Sequence, residues 1–435
     1  MTRSRSSARY VGLDVQRQLI VACSIDARGH ILLRQSFACT HVELESFARR
    51  HLHATDKLAL EATTNTWELV ARLKPFVAEV VVSNPLKTRL VAEARVKTDK
   101  VDALILAQLL RCDFLPRVWE PGPEVQRLRR LTARRASLVL DKTAVKNRIH
   151  SLLHQRLVSA PVKDLFCGAG RRWLASLVLD EEGREALDSD LGLLARLEEE
   201  VARQDQLLTR RGYADPRVRL LMTLPGVDLM VAQTLLAALG DASRFSDGDR
   251  AASSLGLVPR TRQSAARCYH GPITKCGSGH ARAMLVQAAQ HVGAHPGPLG
   301  AFFRRIARRK SRNVAVVATA RKLVCIAWQM LATSEPYRYA QPRVTRAKLA
   351  RLRCRGGGER RPTGMPKGVE RGAASRGRLC LHYHRCLRPR GCHRRSGWPS
   401  CQRARGRRCK GRRSSGSCGR SSSRGGWRKL KHRGA

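Results

Sequence analysis

The sequence predicts an α/β domain opened by three antiparallel strands, then a pair of long helices, then a mainly helical C-terminal domain. Three patterns carry this reading. Short β-period apolar runs crowd residues 9–40, helical and strand periods alternate as far as about residue 122, and leucines recur every seven residues beyond it.

Tyr10 to Asp14, Leu19 to Asp26 and Ile31 to Phe37 read as strands, the last two joined by a turn at Arg28-Gly29. A helix from Val42 to Leu52, a strand ending at Glu61, a helix from Trp67 to Phe76 and a strand from Glu79 to Ser83 follow. A helix from Thr88 to Leu110 comes next, with Val101, Leu104, Ile105 and Leu109 as its apolar stripe. A meander of three strands followed by alternating helices and strands is the pattern of a ribonuclease-H-like α/β domain, here residues 9–122. Its active site lies where the first and fourth strands end.

Four acids fall at the places such a domain reserves for chemistry. Asp14 closes the run Tyr10-Val11-Gly12-Leu13, and Glu61 closes Leu58-Ala59-Leu60. Asp99 and Asp102 sit one helical turn apart, on a face adjoining the apolar stripe. Gathered carboxylates repel one another and resist desolvation unless cations neutralise them. The expectation is a magnesium site, holding two ions, of the kind that binds the attacking and leaving oxygens of a phosphodiester.

Residues 123–212 predict two long helices. Leu131, Leu138, Val145 and Leu152 repeat every seven residues on the first, with Leu128 and Ile149 interleaved, and Leu187, Leu194, Val201 and Leu208 repeat on the second. Two pairings satisfy this pattern, a hairpin within one chain or a contact between two chains. The first helix also carries Arg127, Arg129, Arg130, Arg134, Lys146, Arg148 and Arg156 against only Glu124 and Asp141. From this basic stripe, Arg127, Arg130, Arg134, Lys146 and Arg148 are candidate nucleic-acid contacts.

The C-terminal domain spans 213–345. It opens with Leu224-Pro225-Gly226-Val227-Asp228 before a helix from Met230 to Leu239, a turn that fits either a helix-hairpin-helix or a plain helix-turn-helix. An apolar helix near Val314 to Leu331 is interrupted by Arg321 and Lys322 and reads as a core helix.

The chain has 435 residues and a net charge of +49, which points to a polyanionic partner. The N-terminus lacks the pattern of an export signal. Seven cysteines across the first 350 residues, without metal-ligand spacing, suit buried thiols in a reducing cytoplasm. The composition argues against a secreted disulfide scaffold and against a membrane partner.

The order of parts is distinctive. Asp14, Glu61, Asp99 and Asp102 precede the long helices and Leu-Pro-Gly-Val. Then Gly256-Leu257-Val258-Pro259 leads through Gln263-Ser264 to Gly271-Pro272-Ile273-Thr274-Lys275-Cys276-Gly277. Residues 9–345 resemble a transposase of the insertion sequence 110 family, the DEDD transposases whose N-terminal domain is similar to the RuvC junction resolvase. The resemblance implies a bacterial, nucleoid-associated recombinase acting on element ends and target DNA. It further implies guidance by a bridge RNA and a homodimer that assembles into a tetramer. By motif, the metal-bound acids are Asp14, Glu61, Asp99 and Asp102, and the nucleophile is Ser264, contributed across the dimer. Ser264 has no histidine–acid partner nearby in sequence, so activation by magnesium fits. Lys275 and Arg282 supply charge for a phosphate. Ala265 and Ala266 follow Ser264 where the family usually has glycine, and Gly277-Ser278 stands where it commonly has glycine then asparagine. Ser253, Ser254 and Ser278 are therefore competitors for the nucleophile's role. Two other functions remain open, a RuvC-type nuclease needing the acids alone and a nucleic-acid-binding remnant of a mobile element.

Residues 346–435 form a tail rich in Arg, Gly, Ser and Cys, with 27 Lys and Arg against two acids after residue 350. It reads as a disordered basic tail, and a frameshift in a GC-rich gene would produce such a sequence. A zinc site from Cys380, His382, His384, Cys386, Cys392 and His393 matches no common zinc module.

Overall fold

The computed structural model describes residues 9–91, 99–264 and 267–357, all within the compact unit Met1–Arg361, with the side chains of residues 99 and 100 outside that set. The tail expectations, the zinc candidates among them, fall outside the described residues.

The first strands form as their alternation requires. β1 (Tyr10–Val15), β2 (Leu19–Ile25) and β3 (Ile31–Ala38) make an antiparallel meander, and β4 (Lys57–Glu61) and β5 (Glu79–Ser83) extend it in parallel, giving the order β3-β2-β1-β4-β5. Parallel strands need crossovers, and these are the helices α1 (His41–His51) and α2 (Thr66–Leu73). Residues of alternate parity serve the two faces. Val11, Leu13, Leu58, Leu60 and Val82 pack with Phe47, Leu69 and Leu73 on one face. Val21, Cys23, Ile25, Ala59 and Val81 meet Ala103, Leu106, Ala107 and Leu110 on the other.

That second face is covered by the helix bearing the acid pair. The sequence predicts one helix from Thr88 to Leu110, and the structure describes two, α3 (Pro85–Val91) and α4 (Asp99–Arg111), with 92–98 outside the described residues.

The long helices pair within the chain. α5 (Pro123–Gln155) and α7 (Glu181–Ala214) are joined through α6 (Gly168–Ser176). Ion pairs Glu124–Arg211, Arg135–Asp205, Arg148–Asp190 and Arg156–Asp180 step down one helix as they step up the other, which fixes the arrangement as antiparallel. Val145, Ile149 and Leu153 meet Leu187 and Leu194 between them, closed at the far end by Leu174 of α6.

The rest is helical: α8 (Pro216–Leu221), α9 (Leu229–Leu239), α10 (Gly248–Ser254), a hairpin of β6 (Pro259–Ser264) and β7 (Arg267–Ile273), then α11 (Gly279–Val292), α12 (Pro298–Arg309), α13 (Arg312–Thr333) and α14 (Pro342–Arg355). α13 is long and apolar enough to cross a membrane by length and composition alone. Here Ala315, Ala320, Leu323, Val324 and Ala327 bury it among the neighbouring helices, as expected for a core helix.

A strap ties the sheet to this helical region. Val118 donates to Val82 O at 2.7 Å and Asn84 to Pro116 O at 3.0 Å. Trp119 then lies beneath the guanidinium of Arg244, 4.4 Å from the ring centroid, and near that of Arg129 at 5.6 Å, where the missing side chain of Gly240 leaves room for the indole. Burial, together with the nearby Arg129, pushes Arg244 down to about 10.

Candidate functional site

Asp14 and Glu61 occupy equivalent places on neighbouring strands. β1 and β4 run parallel with Leu13 opposite Leu60, so each acid is the next residue beyond that pair. Because Leu13 and Leu60 face the α1–α2 side, Asp14 and Glu61 project from the opposite surface, the one α4 covers.

The direction of α4 places Asp102 at the same end. Arg111, at its C-terminus, reaches Ala27 O and lies beside Gly29, in the turn next to the start of β1, so its N-terminal turn lies toward the end of β1. The approach is close because Gly12 has no side chain. A Cβ at residue 12 would stand 2.7 Å from Ala107 N and closer still to the carbonyl oxygen of Ala103, the residue after Asp102. Ser83, fully buried and paired with Glu61, completes this end, with the Thr88 hydroxyl 3.2 Å from its oxygen. Period-two alternation placed Ser83 on this face, but an isolated serine gave no signal of its own.

Three of the four predicted acids thus share one end of one sheet surface, while the side chain of Asp99 lies outside the described residues. Among the described residues, no three His, Cys, Asp or Glu side chains close into a metal cage. The donors are nonetheless all carboxylate oxygens, the set that hard divalent cations prefer, so the residues present fit such ions.

Ser264 stands elsewhere. It ends β6 on an exposed two-stranded arm, where its register partner on β7 is Arg267. Arg267 therefore places a guanidinium-bearing residue beside the serine, a neighbour that linear spacing did not single out. Neither strand of the arm packs extensively against β1, β4 or α4 among the described residues. Its base is rigid. Thr274 donates to Val258 O at 2.9 Å and Lys275 to Gly256 O at 3.2 Å, and Gly256 and Gly277 both have positive φ, at sites where a side chain would strike backbone. Arg282 binds the Leu255, Cys276 and Gly277 carbonyls, so it pins this base. Lys275 is exposed in a left-handed conformation (φ 57°). Of the competing serines, Ser254 donates to Ala251 O and Ser278 caps α11, while Ser253 is exposed on α10.

The basic stripe divides in two. Arg127, Arg130 and Arg134 are exposed on one face of α5 and form no ion pair among the described residues. Lys146 instead lies over the Phe166 ring at 4.3 Å, and Arg148 pairs with Asp190 at 2.6 Å, so both already have partners within this region. Arg129 is half-buried on Ala237 O, and Arg156 holds Asp180. These four were indistinguishable from free cations in sequence because their partners lie 20 to 108 residues away.

Comparison with known proteins identifies relatives of the chain. Residues 11–157 match a family model described as a transposase of the DEDD type, and residues 218–304 match one described as transposase, IS116/IS110/IS902 family. Together they cover a little over half the chain. A probable family 20 transposase of Pseudomonas aeruginosa is 23% identical, over 75% of this chain and 98% of its own length. A pilin gene-inverting protein of Moraxella bovis is 27% identical over 76% and 98%. The transposase for insertion sequence element IS1111A of Coxiella burnetii is 23% identical over 77% and 93%. Nearly the whole of each relative therefore matches about three quarters of this chain.

Proposed function

Because the chain belongs to the IS110 family of transposases, enzymes of DNA strand transfer, we propose that it cuts and exchanges DNA strands with a carboxylate site and a serine nucleophile. The observation that carries this reading is the placement of Asp14 and Glu61 on adjacent strand ends, on the sheet surface covered by the helix that bears Asp102. The strand order, with a meander leading into two parallel strands, supports reading the sheet as ribonuclease-H-like.

In this mechanism Asp14, Glu61, Asp99 and Asp102 would hold two magnesium ions, which would supply positive charge against the charge that develops at the reacting phosphate. Ser264 Oγ attacks the phosphorus of a DNA phosphodiester and gives up its proton. The leaving DNA oxygen takes up a proton, and the serine is left joined to the phosphate. Attack by the hydroxyl of another DNA end reverses the linkage, joins the new strand and restores Ser264. Arg267, the register partner of the serine, would steady the phosphate. The exposed arm suits delivery of Ser264 to the acids of a second copy, in a dimer that assembles into a tetramer. A guide RNA selects the DNA, and Arg127, Arg130, Arg134 and Lys275 are free to contact nucleic acid. The name of the Moraxella relative, a gene-inverting protein, favours strand exchange over simple cleavage.

The test uses the full chain with magnesium, DNA bearing the element's ends and target, and RNA transcribed from the flanking noncoding segment. Recombinant junctions and a covalent protein–DNA adduct are expected from the wild type. Ser264→Ala should lose the adduct, and Asp14→Asn should bind DNA without cutting it. Junction cleavage that persists in Ser264→Ala would favour a RuvC-type nuclease, and unimpaired cutting by Asp14→Asn would remove the acids from the mechanism.

A further inference from the structure

The C-terminal region holds a strongly charged surface that the catalytic proposal does not use. From residue 250 to residue 334 the chain contains no Asp or Glu and 14 Lys and Arg. Six of these cations fall within nine residues at the end of α12 and the start of α13: Arg304, Arg305, Arg308, Arg309, Lys310 and Arg312.

The helix is seated firmly by its other face. Leu299, Gly300 and Phe303 are buried, and the Phe303 ring lies against the bare Cα of Gly293. Arg304 ties the helix to its approach by donating to Gly293 O at 2.8 Å and His295 O at 3.3 Å. With that face fixed, Ala301, Arg304, Arg305, Arg308 and Arg309 line an open cleft of about 350 Å³. Their spacing of three and four residues makes them one stripe.

Two interpretations compete for such a stripe, a solvated face and a polyanion seat, and the pattern of ion pairing separates them. On the long hairpin, Arg135, Arg148, Arg156 and Arg211 each meet a carboxylate of the facing helix. Around α12, no carboxylate pairs with Arg304, Arg305, Arg308 or Arg309 among the described residues. Like charges at i, i+3 and i, i+4 destabilise a helix. The negative end of the helix dipole offsets part of that repulsion at Arg308 and Arg309. Guanidinium groups favour oxyanions that they can grip with two donors.

We infer that the arginine cleft of α12 is a seat for a phosphodiester backbone, separate from the candidate carboxylate site and from the serine arm. The inference rests on the transposase reading only for the nature of the polyanion. DNA and RNA present the same phosphate chemistry, and the experiment separates them.

Binding is measured in the full chain carrying Asp14→Asn, so that failure of the catalytic reading leaves the result intact. Labelled duplex DNA and labelled structured RNA are titrated at several salt concentrations. Arg308→Ala/Arg309→Ala should weaken binding to at least one of them by about tenfold, and should lower the slope of log affinity against log salt by about 2 for duplex DNA. The charge-matched control Arg72→Ala/Arg203→Ala removes two cations that already have carboxylate partners and should leave affinity and slope nearly unchanged. Arg308→Lys/Arg309→Lys keeps the charge but not the two-donor grip, so it should restore the salt slope and only part of the affinity. Loss confined to DNA or to RNA identifies the strand that occupies the cleft. Equal affinity and slope for both nucleic acids in the double alanine variant, or an equal loss in the control, would overturn the inference.

Discussion

Substituting Gly12 probes how the fold sets the candidate site. In Gly12→Ala the new methyl would lie 2.7 Å from Ala107 N and nearer to Ala103 O, both backbone atoms of α4 that no rotamer change can move. Ordinary contact begins near 3.4 Å, so the helix must retreat by about 0.7 Å at Ala107 and by more at Ala103. Overpacking of this kind costs about 1–3 kcal/mol. The same retreat carries Asp102, adjacent to Ala103, away from Asp14 and Glu61. A displacement of about 1 Å at a catalytic group lowers rate by about 100-fold. Thermal unfolding should therefore show a moderate loss of stability, and cleavage of labelled DNA should fall by about two orders of magnitude, while DNA affinity holds. Gly192→Ala is the control. Nothing lies within 4 Å of the added methyl, and replacing an exposed glycine within α7 should stabilise the helix by about 1 kcal/mol. Full cleavage activity in a folded Gly12→Ala protein would refute the reasoning that this contact sets the position of the acids.

Other substitutions test the framework. Leu194→Ala, at a fully buried site between α5 and α7, should cost about 2–5 kcal/mol in denaturant unfolding, and a surface-like value would contradict the pairing described. The Lys348 ammonium on α14 donates to the carbonyls of Met222, Leu224 and Val227, clasping the turn between α8 and α9. Lys348→Met should cost about 1–3 kcal/mol by leaving those carbonyls without their donor. Burial lowers the Lys348 pKa from 10.5 to about 8. Between those values the unfolded chain holds the extra proton, so the lysine's contribution to stability should rise with pH from about 8 to 10.5. Unfolding of wild type and Lys348→Met across that range checks the sign, and a difference that is flat or falls would contradict it.

The sequence made the architecture legible where periodicity was local. Strands β1 to β5 lie within a residue or two of the expected positions because alternating apolar residues and a Gly29 turn specify them directly. The heptads of α5 and α7 announced a partner helix but left its chain open, since seven-residue spacing is the same for both pairings. The charged partners on the facing helix decide it. At the candidate site, the strand-end positions of Asp14 and Glu61 could be read from the acids that close two apolar runs. The contact of Gly12 with α4 could not, because it joins residues some ninety positions apart. Arg129, Lys146, Arg148 and Arg282 show the opposite error. Each looked like a free cation in a list of charges, and each is held by an aromatic ring, a carboxylate or backbone carbonyls.

The paired long helices also act as a ruler. At 1.5 Å per residue the 33 residues of α5 span about 50 Å, with α9 gripped near one end and α6 closing the other. Seven residues gained or lost in both arms would change that reach by about 10 Å and leave each buried leucine facing its partner. Any other increment would swing the tip around the axis. Reach and bearing are thus set independently, the first by counting heptads and the second by the remainder.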